Sequence, residues 1–314
     1  MWPVRNRHTG RVPVLLLDDD DVRARLDPGT AVRAVREALL AAHSGLLHAP
    51  PRTMADLGGG NLVFTAGLVE PAGVFGFRAY DTLVGAEQLV AVWGLDDGRL
   101  RALVCGDELG ARRTGAIGAV AVDAAAGPGP IRLGLVGAGT QAWTQLWAVR
   151  AVRQVTSVTV AARRTERSAA FAERAAAELG LVVRAVTDAR DAVRDQDVVI
   201  VATNSATPVF EADWIAPGTH VTTLGPKSIS RHEVPAALAE RADVILTDSP
   251  AQLAAYPEPH LFAGEPVVSL GAVLAGAAAG RTGPGQITVF CSVGLAGTEV
   301  ALAAALHAIK DGRK

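Results

Sequence analysis

The sequence predicts an α/β protein in two parts, and three observations carry that expectation. Residues 131–149 read as a short apolar strand, a glycine turn and a helix; the turn holds Gly137, Gly139 and Ala142 in the G-x-G-x-x-G/A spacing of a dinucleotide-binding βαβ unit. Strand and helix then alternate, with 157–162 as strand, 166–179 as helix and 197–202 as strand. Upstream, a helix precedes several strands joined by glycine turns, and Gly127-Pro128-Gly129-Pro130 separates the two patterns. The expected fold is therefore a Rossmann dinucleotide-binding domain over 127–286, plus a mixed α+β domain formed by 1–126 with 287–314.

Taken in order, residues 12–17 read as a strand. Residues 28–42 read as a helix, because Ala31, Val32, Val35, Ala38, Leu39 and Ala42 recur at helical spacing. Asp27 is placed to cap it, and Pro28 suits its first position. Residues 62–65, 74–79 and 89–95 read as strands, and Asp96-Asp97-Gly98 turns the third into 100–104 as a hairpin. Residues 114–125 form a helix of small residues. In the second part, Gly137 permits the tight turn out of the strand, and Gly139 removes a side chain where a pyrophosphate must approach the backbone. Ala142 lets the helix pack closely. Unpaired N–H groups and the helix dipole favour an anion at that helix start. A nicotinamide or flavin cofactor is the first expectation. Further on, 244–247 reads as a buried strand, 270–279 as a helix ended by Gly280, and 287–290 as a strand. Residues 297–309 read as a last helix, apolar at Val300, Leu302, Ala303, Leu306 and Ile309, that returns to pack on the first domain.

Composition narrows the function classes. The chain has 314 residues, enough for two domains, and is 49% hydrophobic, enough for a large core. A net charge of −2 points to neither nucleic acid nor an anionic membrane. No apolar run reaches the roughly 18 residues of a membrane span. The start lacks a signal-peptide pattern, since its apolar run, 12–17, meets acids at once. Cys105 and Cys291 form no disulfide framework and no metal spacing, and the seven histidines contain no H-x-x-x-H pair. The expectation is a cytoplasmic protein without structural metal. Three lysines stand against twenty-seven arginines, and Lys227 is the only lysine outside the C-terminal tail.

The arrangement resembles the ornithine cyclodeaminase/mu-crystallin family over almost the whole chain. The resemblance rests on Pro50-Pro51-Arg52, on Arg113-Thr114 opening the small-residue helix, and on GAGTQA at 137–142. It continues through Thr203-Asn204-Ser205 with Pro208, then Pro217-Gly218-Thr219-His220-Val221 leading to Leu224-Gly225, and Phe290-Cys291-Ser292-Val293-Gly294. It implies hydride transfer at a carbon bonded to nitrogen, usually beside a carboxylate, in homodimers built through the N-terminal, substrate-binding domain. It also implies cofactor contacts from Gly137, Gly139, Thr140, Gln141, Ala142, Thr203, Asn204, Ser205, Thr114, Gly225, Val293 and Gly294. Arg52 and Arg113 match the positions that bind the substrate carboxylate, where a guanidinium fork donates two parallel hydrogen bonds. Surface ion pairing is the plainer alternative for each.

Two positions depart from the family pattern. Its lysine in a G-x-K strand falls on Arg78, which keeps a cation but loses a compact, titratable ammonium. Arg78 is accordingly read as a substrate-binding and catalytic candidate. The family's catalytic aspartate falls on Lys227, which reverses the charge and would repel a diamino acid. Lys227 has three readings: an anchor for a second carboxylate or other substrate anion, a general acid for nitrogen, or a salt-bridge partner of an acid such as Glu233. His232 is a weaker candidate, more simply read as a loop residue. Cofactor choice follows from the end of the second strand. Arg163, Arg164 and Thr165 stand where NAD enzymes carry an acid, and they suit a 2′-phosphate, so NADPH is expected over NADH. The expected function is an NADPH-dependent reductase of a small, carboxylated imine, or the reverse amine dehydrogenase, including a specialised biosynthetic enzyme. The rivals are an NAD-dependent amino-acid cyclodeaminase and a non-catalytic, crystallin-like NADP-binding protein.

Overall fold

The computed structural model describes residues 14–310. The first part contains β1 (Leu15–Leu17), α1 (Asp19–Arg25), α2 (Pro28–His43), β2 (Leu47–His48), β3 (Thr53–Asp56), β4 (Asn61–Val69), β5 (Val74–Asp81), β6 (Leu89–Gly94), β7 (Leu100–Cys105) and α3 (Glu108–Ala125). The second contains β8 (Ile131–Val136), α4 (Thr140–Val149), β9 (Val155–Ala161), α5 (Thr165–Leu179), β10 (Val183–Val186), α6 (Ala189–Val193), β11 (Val198–Val201), β12 (His220–Thr223), α7 (Ala237–Arg241), β13 (Val244–Thr247), α8 (Pro250–Ala254), β14 (Val267–Ser269), α9 (Leu270–Leu274) and β15 (Thr288–Cys291). The last helix, α10 (Thr298–Lys310), returns to the first part.

The first sheet is mixed and runs β1-β7-β6-β5-β4-β2, with β3 beside β4. Only β1 pairs in parallel, with β7; the other pairs are antiparallel. The second sheet is parallel throughout, in the order β10-β9-β8-β11-β12-β15-β13-β14. Its central strands are covered on both faces, as parallel strands must be: Val198, Val199, Ile200 and Val201 are all fully buried. The order reverses at β8, which has β9 on one side and β11 on the other. That switch point opens a crevice at the strands' C-terminal ends.

Local chemistry explains the elements. Asp27 caps α2 by accepting from the Thr30 N–H at 2.9 Å, and Pro28 occupies its first turn. The acidic run at 18–21 gave no expectation of a helix, yet α1 forms there. Asp18 caps it, its first turn carries Asp19, Asp20 and Asp21, and its last carries Arg23 and Arg25, so charge complements the dipole at both ends. The expected strand over 12–17 is seen from Leu15; residues 12 and 13 lie outside the described residues. The helix expected over 270–279 stops at Leu274, where Gly276 turns left-handed at φ 70°. The expected boundary at 287 falls one strand early. β15 pairs with β12 and β13 inside the parallel sheet, and the chain packs on the first sheet from Gly297 on through α10.

Small residues set how the halves meet. Along α3, a side chain at Gly115 would run into the Thr144 backbone of α4, and one at Gly118 into the Gln145 amide. The Gln145 amide donates to the Thr114 carbonyl at 3.0 Å, tying the two helices together. At the entrance to α10, Gly67 of β4 and Gly297 touch backbone to backbone.

Candidate active site

Two hollows lie along the C-terminal edge of the parallel sheet. The larger is a cleft of about 670 Å³ at the switch point. Gly137, Ala138 and Gly139 floor it, Ala161 to Arg164 and Arg167 wall one side, and Ala202 to Ser205 the other. Gly137 has φ 111° and packs against the Ala202 carbonyl, so only glycine serves there. Gly139 is the N-cap of α4; no side chain caps that helix, and a Cβ there would meet nothing within 4 Å. An uncapped helix start facing open space is the cradle that a pyrophosphate requires. Ala142 is fully buried, as close packing of that helix demands. The residues lining the cleft therefore fit a dinucleotide. No carboxylate lines it, while Arg163, Arg164 and Arg167 do, and none of these arginines enters an ion pair among the described residues. Thr165 begins α5 and does not line the cleft; Arg167, which the motif reading did not name, does.

The second hollow, about 280 Å³, lies between the two halves. It gathers Arg52 from the loop before β3, Arg78 from β5, Arg113 and Thr114 from α3, and Lys227 from the loop after β12. The four cationic candidates, far apart in the sequence, thus share one pocket. Val293 and Gly294 also line this pocket rather than the cleft. Gln141 joins the two hollows, for α4 presents Gly139 to the cleft and Gln141 to the pocket. Thr140, the first residue of that helix, lines neither hollow.

Arg113 is held in a buried ion pair with Glu299, and the same carboxylate accepts from Arg78 at 3.1 Å. Burial would raise the Glu299 carboxyl, but Arg113 and Arg78 outweigh it and hold it below the usual carboxylate range. Burial also lowers the Arg78 guanidinium, with Glu299 opposing. Arg78 is fixed further by the Gln88 side-chain amide oxygen and stacks 4.5 Å from the Tyr80 ring centroid. Arg52 donates to the Val293 carbonyl at 2.6 Å and to the Tyr80 hydroxyl at 3.3 Å. The Nε donors of Arg52 and Arg113 are buried with no acceptor among the described residues. The surface-ion-pair reading of these arginines does not hold.

Lys227 is 5% exposed and donates to the carbonyls of Gly225 at 2.6 Å and Leu224 at 3.4 Å. The expected bridge to Glu233 is absent among the described residues, because that carboxylate is already filled. It accepts from the N–H groups of Thr203, Leu224 and Gly225 and the hydroxyls of Thr203 and Thr223, all at 2.6–2.9 Å. Gly225 lines neither hollow; a side chain there would strike the Thr203 carbonyl and Glu233, so it serves this close packing. Burial pushes the neighbouring Cys291 thiol up to about 12 against the pull of Lys227, leaving it protonated. His232 sits with its Nδ1 3.1 Å from the Ile229 carbonyl, away from both hollows.

Three residues that organise the site escaped the motifs. Glu299 is signalled in sequence only as the lone acid in the mostly apolar α10. Asp248 accepts from the N–H groups of Val293, Gly294 and Leu295 at 2.8–3.0 Å and shapes the loop that anchors Arg52. Nothing local marks it in sequence. Tyr80 is visible there only as an aromatic in a strand.

A family model described as ornithine cyclodeaminase/mu-crystallin matches residues 21–312. A Δ1-pyrroline-2-carboxylate reductase of Bacillus cereus is 31% identical over 66% of this chain and 66% of its own length. An iminosuccinate reductase of Paracoccus denitrificans is 33% identical over 71% of each. The matched stretch spans only 56% of another curated relative, from Rhizobium meliloti. Among solved structures, Thermococcus litoralis Δ1-pyrroline-2-carboxylate reductase, in complex with NADH and L-proline, superposes with a TM-score of 0.86 and 26% identity. That match covers 95% of this chain and 98% of the other.

Proposed function

This chain belongs to the ornithine cyclodeaminase/mu-crystallin family, and on that premise we propose that it is an NADPH-dependent oxidoreductase reducing the C=N carbon of a small imine that carries a carboxylate. One observation carries the reading. The first turn of α4 faces the dinucleotide-shaped cleft through Gly139 and the arginine pocket through Gln141, so cofactor and substrate sites adjoin. Relatives described as pyrroline-carboxylate and iminosuccinate reductases support it. When bound, the reduced nicotinamide supplies the hydride. The chain's own part is to hold the imine. Arg52 and Arg113, which line the pocket, orient the carboxylate, and Glu299 keeps Arg78 and Arg113 in place. Lys227, on the opposite wall, holds an anionic group of the substrate or donates the nitrogen's proton; water is the other proton source. Arg163, Arg164 and Arg167 favour the 2′-phosphate of NADPH. We read the protein as a cytoplasmic homodimer.

The test is oxidation of NADPH by purified protein with open-chain and cyclic imines, with and without carboxylates. We expect turnover of carboxylated imines, with kcat/KM at least about tenfold higher for NADPH than for NADH. Equal efficiency with NADH overturns the cofactor choice. Turnover of only carboxylate-free imines discards the arginine site. Tight NADPH binding without turnover favours a binding protein, and ammonia release from ornithine without net cofactor change favours a cyclodeaminase.

A further inference from the structure

We infer that the substrate carries a second carboxylate, seated on Lys227; this deepens, and rests on, the reading of an imine reduced beside a nicotinamide. The case is one of charge and partnership. Arg52, Arg78, Arg113 and Lys227 face the pocket, and a single carboxylate, Glu299, lines it. Glu299 is engaged by Arg78 and Arg113. The two other buried acids close by are filled: Glu233 by the N–H and hydroxyl groups around Thr203 and Gly225, and Asp248 by the N–H groups of 293–295. Lys227 has no ion pair among the described residues, and its two acceptors are neutral carbonyls. A buried ammonium without a counter-ion is costly, and a bound anion relieves that cost.

The cations also come from different halves of the molecule. Arg52, Arg78 and Arg113 belong to the first part, whereas Lys227 is held by the loop that follows β12 of the parallel sheet. Arg52 and Arg113 supply the fork for the carboxylate next to the C=N carbon. Arg78 has Nε, Nη1 and Nη2 all committed to Glu299 and the Gln88 side chain, whereas Arg113 meets Glu299 through one amino group alone. That leaves Lys227 as the point charge for an anion at the other end. A pocket of about 280 Å³ restricts the molecule to a short one, so the class is the imine of a small 2-oxo dicarboxylic acid. The carbon gains a hydride from the reduced nicotinamide, the C=N π electrons take up a proton from water as the new N–H bond, and the nicotinamide leaves oxidised; the product is an amino dicarboxylate. A diamine has no acidic partner here.

The decisive experiment compares imines formed from ammonia with oxaloacetate or 2-oxoglutarate against those from pyruvate or 2-oxobutyrate, in wild type, Lys227→Met and Lys227→Arg. Succinate and butyrate binding to the NADPH-loaded protein is measured alongside by calorimetry. We expect the dicarboxylate-to-monocarboxylate ratio of kcat/KM to exceed about tenfold in wild type, to collapse in Lys227→Met, and to recover in part in Lys227→Arg. Succinate should bind tighter than butyrate by a similar factor, with the same dependence on Lys227. A wild-type ratio near one, or a ratio unchanged in Lys227→Met, overturns the second carboxylate while leaving imine reduction intact. If no imine is turned over, the reduction reading fails by itself. The calorimetric comparison then decides the dianion: preference for succinate supports it, and equal binding removes it. Where Lys227→Met does not fold, the Lys227→Arg variant and the wild-type ratio separate the same outcomes.

Discussion

Glu299 shows how one side chain shapes the whole pocket. It lies in an apolar helix, 1% exposed, and is tolerated because two guanidinium groups meet it. Replacing Arg113 by Met leaves Arg78 alone against that carboxylate. We expect a stability loss of about 3–5 kcal/mol, read by urea denaturation, and kcat/KM for carboxylated substrates down by about a hundredfold. Unchanged kinetics would remove Arg113 from substrate binding. His220 gives a second, pH-dependent case. It is fully buried between the hydroxyls of Thr288 and Thr222, and burial, with Arg281 adding, holds its imidazole down at about 3 against an ordinary 6.5. The folded protein keeps it neutral between those values, while the unfolded chain takes up a proton. Its contribution is therefore complete above about pH 6.5 and is lost as pH falls. Between pH 7 and pH 5 the wild type should lose about 2 kcal/mol more than His220→Gln. Equal pH slopes in denaturation of the two proteins would refute this.

At the scale of elements, the contact of α3 with α4 governs where the cofactor cradle sits. Gly115 and Gly118 let the two helices approach at backbone distance. Gly115→Val should destabilise the protein by about 3 kcal/mol or more and raise the Kd for NADPH, since α4 must shift for the new side chain to fit. A variant of wild-type stability and affinity would show the contact to be slack. Such elements differ in how plainly the sequence announces them. The strand–turn–helix at 131–149 and the Asp27-capped helix are legible because each carries its own local signal: glycine spacing, a cap, a helical period. The short strands β2, β10 and β14 are not, since a few residues at a sheet edge form no period and gain their strand from the partner. The site divides the same way. Its arginines and Lys227 stand out by motif and by rarity. Asp248 and Glu233 act through backbone N–H groups of distant loops, which no spacing records.

The whole molecule offers one further surface. On β5, Phe75 and Phe77 alternate with Gly76 and Arg78, so the aromatics stand on the face away from the pocket. They stack on Trp93 with centroids 5.9 and 5.8 Å away, and Phe64 meets Phe77 edge-on. We propose this aromatic face as the contact of the homodimer proposed above. Trp93→Glu should yield monomers in sedimentation. An undisturbed dimer would place the contact elsewhere. The position of β15 has a consequence in time as well as in space. It enters the sheet between two strands made earlier, β12 and β13, and the chain then crosses to α10, which brings Glu299 to the arginines. During synthesis, the paired strands β13 and β14 have no parallel neighbour toward the sheet centre until β15 has emerged. The binding pocket is thus assembled after the nucleotide cradle, and an emerging chain can form that cradle before it has anywhere to put a substrate.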